Sequence, residues 1–226
     1  MSPTAKVIEE VGYTKLTIRY GRPMARQRKI MGGLVPYDRL WRTGAGPCTI
    51  LAFDRPSVIA NKTIPAGAYA FVTIPGEKEW TVLLNSDTTK IYGDPSEYDK
   101  KDEIVSFKVT PSKTDRFYEA MTITVDIIKY DAVVYLAWEN TRISFPIKTG
   151  SYDQALAEIK RSVAPNSADA QAYAMAAWFY QMNNEDLNQA MAWVDKGLET
   201  KGSDAEQWLL QLRKEITEQL KHPGKK

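Results

Sequence analysis

The sequence predicts a mainly β amino-terminal domain, an antiparallel sandwich or jelly roll over residues 1–149, followed by an all-α region of tetratricopeptide-like helical hairpins over residues 150–226. Three observations carry this reading. Up to Gly150 the chain consists of short alternating runs broken by Pro, Gly, Asn and Asp. Beyond it come long stretches rich in Ala, Gln, Leu and Glu. The charge changes with the texture, from 21 basic and 17 acidic residues in 1–150 to 9 and 11 in 151–226.

Residues 13–20 set Leu16, Ile18 and Tyr20 on one face and Lys15, Thr17 and Arg19 on the other, the period of a half-buried strand. Comparable runs follow at residues 49–53, 58–60, 67–74, 79–84, 104–109, 121–128, 132–139 and 142–147. With no helical stretch between these strands, parallel βαβ winding is excluded and a sandwich fits. Pro65-Ala66-Gly67 reads as a turn, because proline presets φ and glycine relaxes the chain. In the strand after it Tyr69 and Phe71 share an aromatic face, opposite Ala68, Ala70 and Val72.

The second region repeats itself. Tyr152-Asp153-Gln154-Ala155-Leu156 returns as Leu187-Asn188-Gln189-Ala190-Met191, an offset of 35 residues, close to the tetratricopeptide period. Residues 172–198 read as one such hairpin, with Ala174, Ala177 and Trp178 in its first helix and Ala190 and Val194 in its second, although the usual glycine and tyrosine positions are not filled. Residues 151–163 read as half a repeat. Ser203 and Glu206 have capping-box spacing and open a last helix with Ala205, Leu209, Leu212, Ile216 and Leu220 inward. One and a half repeats are too few for a long groove, so Trp178, Trp193 and Trp208 are expected in a core or an interface.

Composition narrows the chemistry. With 43% hydrophobic residues among 226, the chain has ample material for a core. A net charge of +2 gives no reason to expect nucleic acid, and no apolar run reaches the roughly 18–20 residues of a membrane span. The chain opens on no charged-then-apolar export segment. One cysteine, Cys48, excludes an intramolecular disulfide or a multi-cysteine metal site and reads as a buried small hydrophobe. The sole histidine, His222, precedes a Pro-Gly-Lys-Lys tail expected to fray, which excludes Ser-His and Cys-His pairs. Asp99, Asp102 and Glu103, flanked by Lys100 and Lys101, read as a solvated loop. No nucleotide-binding glycine motif is present, since Gly44-Ala45-Gly46 lacks a third glycine and a following helix. No cofactor, metal or catalytic residue is therefore assigned.

One segment concentrates charge. From Arg19 to Ala45 there are seven basic residues, Arg19, Arg22, Arg26, Arg28, Lys29, Arg39 and Arg42, against one acid, Asp38. Gly21, Pro23, Gly32, Gly33, Pro36 and Gly44 make it an ordered loop. Guanidinium forks and accessible backbone amides suit carboxylate or phosphate. The candidate ligand-binding residues are Arg22, Arg28, Trp41, Arg42 and Tyr69, for a small anion or an acidic sugar or peptide group. Trp41, Trp80 and Trp138 are expected to be largely buried, and Arg42 to be partly buried with a specific charge-assisted contact.

These residues also carry a resemblance. Tyr20-Gly21-Arg22-Pro23, the run from Arg28 to Tyr37, Leu40-Trp41-Arg42-Thr43-Gly44-Ala45, Ile64-Pro65-Ala66-Gly67-Ala68-Tyr69 and Trp80-Thr81-Val82 together resemble a bacterial family catalogued as domain of unknown function 2911, over roughly residues 3–148. The family pattern has Asn after the Gly-Ala pair, where this chain has Gly46-Pro47. The resemblance implies an extracytoplasmic setting, periplasmic or lipoprotein-anchored, and a tetratricopeptide-like extension; it implies no activity. The function expected is a noncatalytic binding or structural module. Its rivals are a hydrolase of glycans or cell-envelope material working through carboxylates, and a scaffold that contacts a protein partner or a second copy through its helices.

Overall fold

The sheet of the first unit grows outward from strands whose apolar residues fall on alternate positions. The computed structural model describes residues 2–164 and 169–222. Its strands are β1 (Thr4–Val11), β2 (Thr14–Gly21), β3 (Thr49–Phe53), β4 (Ser57–Ile59), β5 (Lys62–Ile64), β6 (Gly67–Ile74), β7 (Trp80–Asn85), β8 (Glu103–Val109), β9 (Ser112–Ile128) and β10 (Asp131–Ile147). The helices α1 (Ser151–Ser162), α2 (Ala170–Asn183), α3 (Leu187–Leu198) and α4 (Glu206–Lys221) follow. The chain separates into two compact units, Met1–Tyr152 and Asp153–Lys226.

Six strands form one antiparallel sheet in the order β1-β2-β3-β6-β7-β8, while β9 pairs with β10 and β4 with β5 as separate hairpins. One core fills the space between them. The sheet contributes Ile18, Leu51, Phe71 and Val82, the long hairpin Met121, Ile123, Val134 and Leu136, and the short hairpin Ile59 and Ile64. The two-residue period of β6 divides its side chains as expected: Tyr69 and Phe71 enter this core, while Ala70 and Val72 face a smaller cluster with Cys48, Leu83 and Tyr92 on the other side of the sheet. Trp80 and Trp138 are fully buried and Trp41 is half-buried.

The structure corrects the strand reading in three places. The missed β1 carries Lys6, Glu9 and Glu10 and sits at the sheet edge, where charge guards an open row of amides. The missed β5 turns from β4 through Ala60 and Asn61, both at positive φ (50° and 62°), a two-residue turn of the kind that matches strand twist. Residues 132–139 and 142–147 belong to one strand: the apparent break is an irregularity around Glu139, whose φ is 52°.

In the helical unit α2, α3 and α4 pack on one another through Ala174, Ala177, Ala190, Val194, Leu209, Leu212 and Ile216, all buried. Trp193 is buried against Tyr180 at 4.6 Å between ring centroids. Gly197 permits the close approach of α3 to its neighbours, since a Cβ there would lie 2.8 Å from Leu209 Cδ1. Asp169 and Asp186 cap α2 and α3 by accepting amides of the first turn. The expected capping box at α4 is incomplete. The Glu206 carboxylate accepts the amide of Gly202, and the Ser203 hydroxyl is buried with no hydrogen-bond partner. Trp208 is half-buried, while Trp178 and Leu220 are exposed rather than inward. The Pro-Gly-Lys-Lys tail lies outside the described residues.

The junction at Gly150 is a buried latch. Thr149 and Ser151 are 2% and 1% exposed. The Ser151 hydroxyl donates to the Val11 carbonyl (2.9 Å) and accepts the Tyr13 amide (3.0 Å), closing on the β1–β2 turn. The Thr149 hydroxyl donates to the Tyr130 carbonyl (2.6 Å) and the Thr149 amide to Asp131 Oδ1 (3.1 Å), closing on the β9–β10 turn. Two hairpin tips from different sheets are thereby tied to one chain segment. Ser151→Ala removes the acceptor of the Tyr13 amide and the donor to the carbonyl of buried Val11, so unfolding in urea should show a loss of about 1–3 kcal/mol.

Candidate functional site

The Arg-rich segment between β2 and β3 is long, and its shape follows from where its main chain finds partners. Trp41 exchanges both backbone hydrogen bonds with Thr73 of β6 (2.7 and 2.9 Å), adding a short piece of ladder. Its indole stacks on Trp138 at 6.0 Å and meets Trp80 edge-on at 6.2 Å, and its ring N–H donates to the Gly44 carbonyl. Nearer the start of the loop, the Ala25 amide donates to the Glu119 carbonyl and the Met121 amide to the Pro23 carbonyl. Glu139, displaced by its positive φ, accepts the amides of Ile30 (3.1 Å) and Met31 (3.4 Å).

The run Trp41–Ala45 is a structural knot. Thr43 is fully buried at φ 56°, a conformation that β-branched residues resist at a cost of about 1–3 kcal/mol. It is held there by its hydroxyl on Thr73 Oγ1 (3.0 Å) and by its carbonyl, which accepts the Thr49 hydroxyl (2.6 Å). Gly21 sits directly beneath: a Cβ at that position would lie 1.7 Å from the Ala45 carbonyl oxygen.

The five residues singled out by sequence are placed as follows. Arg22 donates from Nε to the Met121 carbonyl and from Nη2 to Thr122 Oγ1 (both 3.1 Å). Arg28 donates to the carbonyls of Ala25 (3.0 Å) and Met24 (2.8 Å). Arg42 is half-buried, packs over Gly93 and donates from Nη1 to the Gly46 carbonyl (2.9 Å), the charge-assisted contact expected of it. Trp41 lies in the aromatic trio. Tyr69 is buried in the main core, tilted against Phe53, with its hydroxyl on the Pro65 carbonyl (2.8 Å). It lies four residues along β6 from Thr73, roughly 13 Å from the Trp41 contact. Arg22 and Arg28 share the β9 margin, Arg42 and Trp41 share the knot, and Tyr69 joins neither.

A cleft opens on the other side of the sheet. About 340 Å³ in volume, it is lined by Asp38, Arg39, Leu40, Ile74, Leu83 and Tyr98. Asp38 stands at φ 58°, and its amide donates to the Pro75 carbonyl (2.7 Å). Among the described residues neither the Asp38 carboxylate nor the Arg39 guanidinium has an ion pair or side-chain hydrogen bond. Arg39 was visible in the basic run with Leu40 beside it; Ile74, Leu83 and Tyr98 carried no signal of a shared site, because they come from three other segments distant in the chain. Beside the cleft, Tyr92 and Tyr98 (6.1 Å apart) cover Cys48. Tyr98 donates to Glu103 Oε2 (2.5 Å) and Tyr92 to the Asp87 carbonyl (2.6 Å). Burial pushes the Cys48 thiol and both phenols up, the Tyr98 shift being reinforced by its bond to Glu103. Among the described residues no group of three or more His, Cys, Asp and Glu side chains is arranged to hold a metal ion.

Two outcomes follow from this geometry. Gly21→Ala should cost several kcal/mol in urea unfolding, because the obstacle is backbone, whereas Gly46→Ala, with open space around it, should cost only about 1 kcal/mol for its positive φ. The second concerns pH. Since Cys48, Tyr92 and Tyr98 hold their protons more tightly folded than unfolded, their contribution is complete below the ordinary thiol value of 9.0 and is lost as pH rises past it. The thermal midpoint should fall as pH rises above the ordinary thiol value of 9.0 and fall further above the ordinary phenol value of 10.0, and Tyr98→Phe should flatten the later part of that fall.

Comparison with known proteins gives one match. No curated protein and no solved structure matches the chain. A family model described as protein of unknown function (DUF2911) matches residues 2–147, the extent of the β unit from β1 to the end of β10. With well over half of its length matched, and with the Trp41–Ala45 run at the centre of the loop architecture, the chain belongs to this family of proteins of unknown function.

Proposed function

We propose that the β unit is a noncatalytic binding module that takes a small ligand with an acidic group and an apolar body in the cleft beside the Arg-rich loop. The observation that carries this reading is the composition of the lining. Leu40, Ile74 and Leu83 offer an apolar floor, Tyr98 an aromatic side, and Arg39 a guanidinium with no partner of its own among the described residues. Asp38 adds an acceptor for a hydroxyl or amino donor on the same ligand. Few polar groups converging on a mostly apolar concavity is the usual pattern of a small-molecule site, and an acidic sugar or a peptide carboxylate has matching chemistry. The noncatalytic part rests on the same residues: one carboxylate and no serine, cysteine or histidine line the cleft.

Titration with glucuronate and with N-acetylphenylalanine, followed by thermal shift at constant ionic strength, tests the reading. The wild type should be stabilised at millimolar concentration by at least one of them. Arg39→Ala should weaken that effect about tenfold or more while leaving the midpoint without ligand nearly unchanged. Equal stabilisation of wild type and Arg39→Ala would exclude this cleft. A second reading, protein contact through the helices, is favoured by α2, where Met175, Trp178 and Met182 are exposed at helical spacing on one face. Sedimentation over a range of concentrations should then show association that Trp178→Ser abolishes.

A further inference from the structure

We propose that the open end of the β9–β10 hairpin binds a tetrahedral oxyanion, phosphate or sulfate, free or as the ester of a small molecule. Lys113, Arg116 and Arg142 line one concavity of about 280 Å³ with Thr114, Asp115 and Tyr118. The ladder brings them together, pairing Arg142 with Ser112 and Thr141 with Lys113 across the hairpin. The irregularities around Glu139 bend β10 so that Arg142 reaches back over Tyr135.

What distinguishes these cations is how they are held. The Arg116 guanidinium lies 4.3 Å above the Tyr118 ring and that of Arg142 lies 5.4 Å from the centre of Tyr135. Stacking on a ring fixes the plane of a guanidinium while leaving its N–H edges free, so two forks are set before a ligand arrives. The Thr114 hydroxyl, donating to the Arg116 carbonyl (2.7 Å), orders the turn that carries one of them. Arg22, Arg28 and Arg42 direct donors at carbonyls, Arg22 also at the Thr122 hydroxyl; by contrast, no ion pair or side-chain hydrogen bond takes up the heads of Lys113, Arg116 or Arg142 among the described residues. Three cations face a single carboxylate, that of Asp115. A tetrahedral anion can present one pair of oxygens to each fork, and any of the four can also accept from the ammonium, a demand that one planar carboxylate meets less well. None of these residues lines the cleft proposed above, so either assignment can fail without the other.

Inorganic phosphate and sulfate are the probes, titrated into the full chain at an ionic strength held constant with chloride. Arginine Nε–H resonances read the site by NMR. The expected result is saturable shifts centred on Arg116 and Arg142, with binding weakened about tenfold or more in Arg116→Ala and in Arg142→Ala. Arg142→Lys, which keeps the charge and loses the stacked fork, should fall between wild type and Arg142→Ala. Parallel titrations with a sugar phosphate and a sugar sulfate distinguish the source of the anion. Shifts that chloride alone reproduces, or saturable shifts centred elsewhere in the wild type, overturn the proposal, as does unchanged affinity in a folded Arg116→Ala, Arg142→Ala double variant.

Discussion

Trp41 is the residue on which the β unit closes. The chain leaves β2 at Gly21 and enters no further strand until Thr49, and ordering so long an excursion costs conformational entropy that local turns alone do not return. Trp41 answers that cost in two ways at one point. Its main chain joins Thr73 as a further rung of the sheet, and its indole fills the space between Trp80 and Trp138. A tryptophan so placed is worth about 3–5 kcal/mol relative to alanine. With that anchor set, Gly44 and Ala45 lie against Gly21, and residues 38–40 stand at the mouth of the cleft.

The anchor also explains where the backbone is strained. Arg26, Gln27, Asp38 and Thr43 all have positive φ within this one loop, and Glu139, which receives the amides of Ile30 and Met31, has it in the facing strand. Arg26, Asp38 and Thr43 are held by specific bonds rather than by local preference, Thr43 most of all. Strain so over-determined makes a rigid frame, and a rigid frame can present the Asp38 and Arg39 side chains, which have no ion pair or side-chain hydrogen bond among the described residues. The latch at Thr149 and Ser151 performs the matching task at the hairpin turns, tying β1–β2 to β9–β10.

Much of this was legible in the sequence, for identifiable reasons. Alternation in β2, β3, β6, β7 and β8 reports directly which face is buried, and it places Tyr69 and Phe71 on the one face that enters the main core. The change of period at Gly150 marked where helices begin. What escaped notice was set by partners remote in the chain. The edge strand β1 is rich in Glu and looks solvated, and Ser203 has the spacing of a cap while its hydroxyl is left without a partner. The density of arginine was plain in the sequence, but composition says nothing of which guanidinium meets a carbonyl. Thus Arg22, Arg28 and Arg42 each bond the main chain, whereas Arg39, two residues from Trp41, borders the cleft. The Tyr118 and Tyr135 stacks depend on the bend at Glu139, a feature that in sequence resembled only a gap between two strands.

Native-state hydrogen exchange measures the anchor most directly. If Trp41 closes the β unit as one cooperative body, the amides of Ala25, Val35, Trp41 and Thr73, each bonded across or within the loop, should exchange only through global unfolding. Their opening free energies should then equal those of Leu51 and Val82 in the central strands and fall in step with them as denaturant is added. Exchange of the Trp41 and Thr73 amides by a separate opening, several kcal/mol easier than that of the central strands, would contradict the account and make the loop an independent flap on a sheet that folds without it.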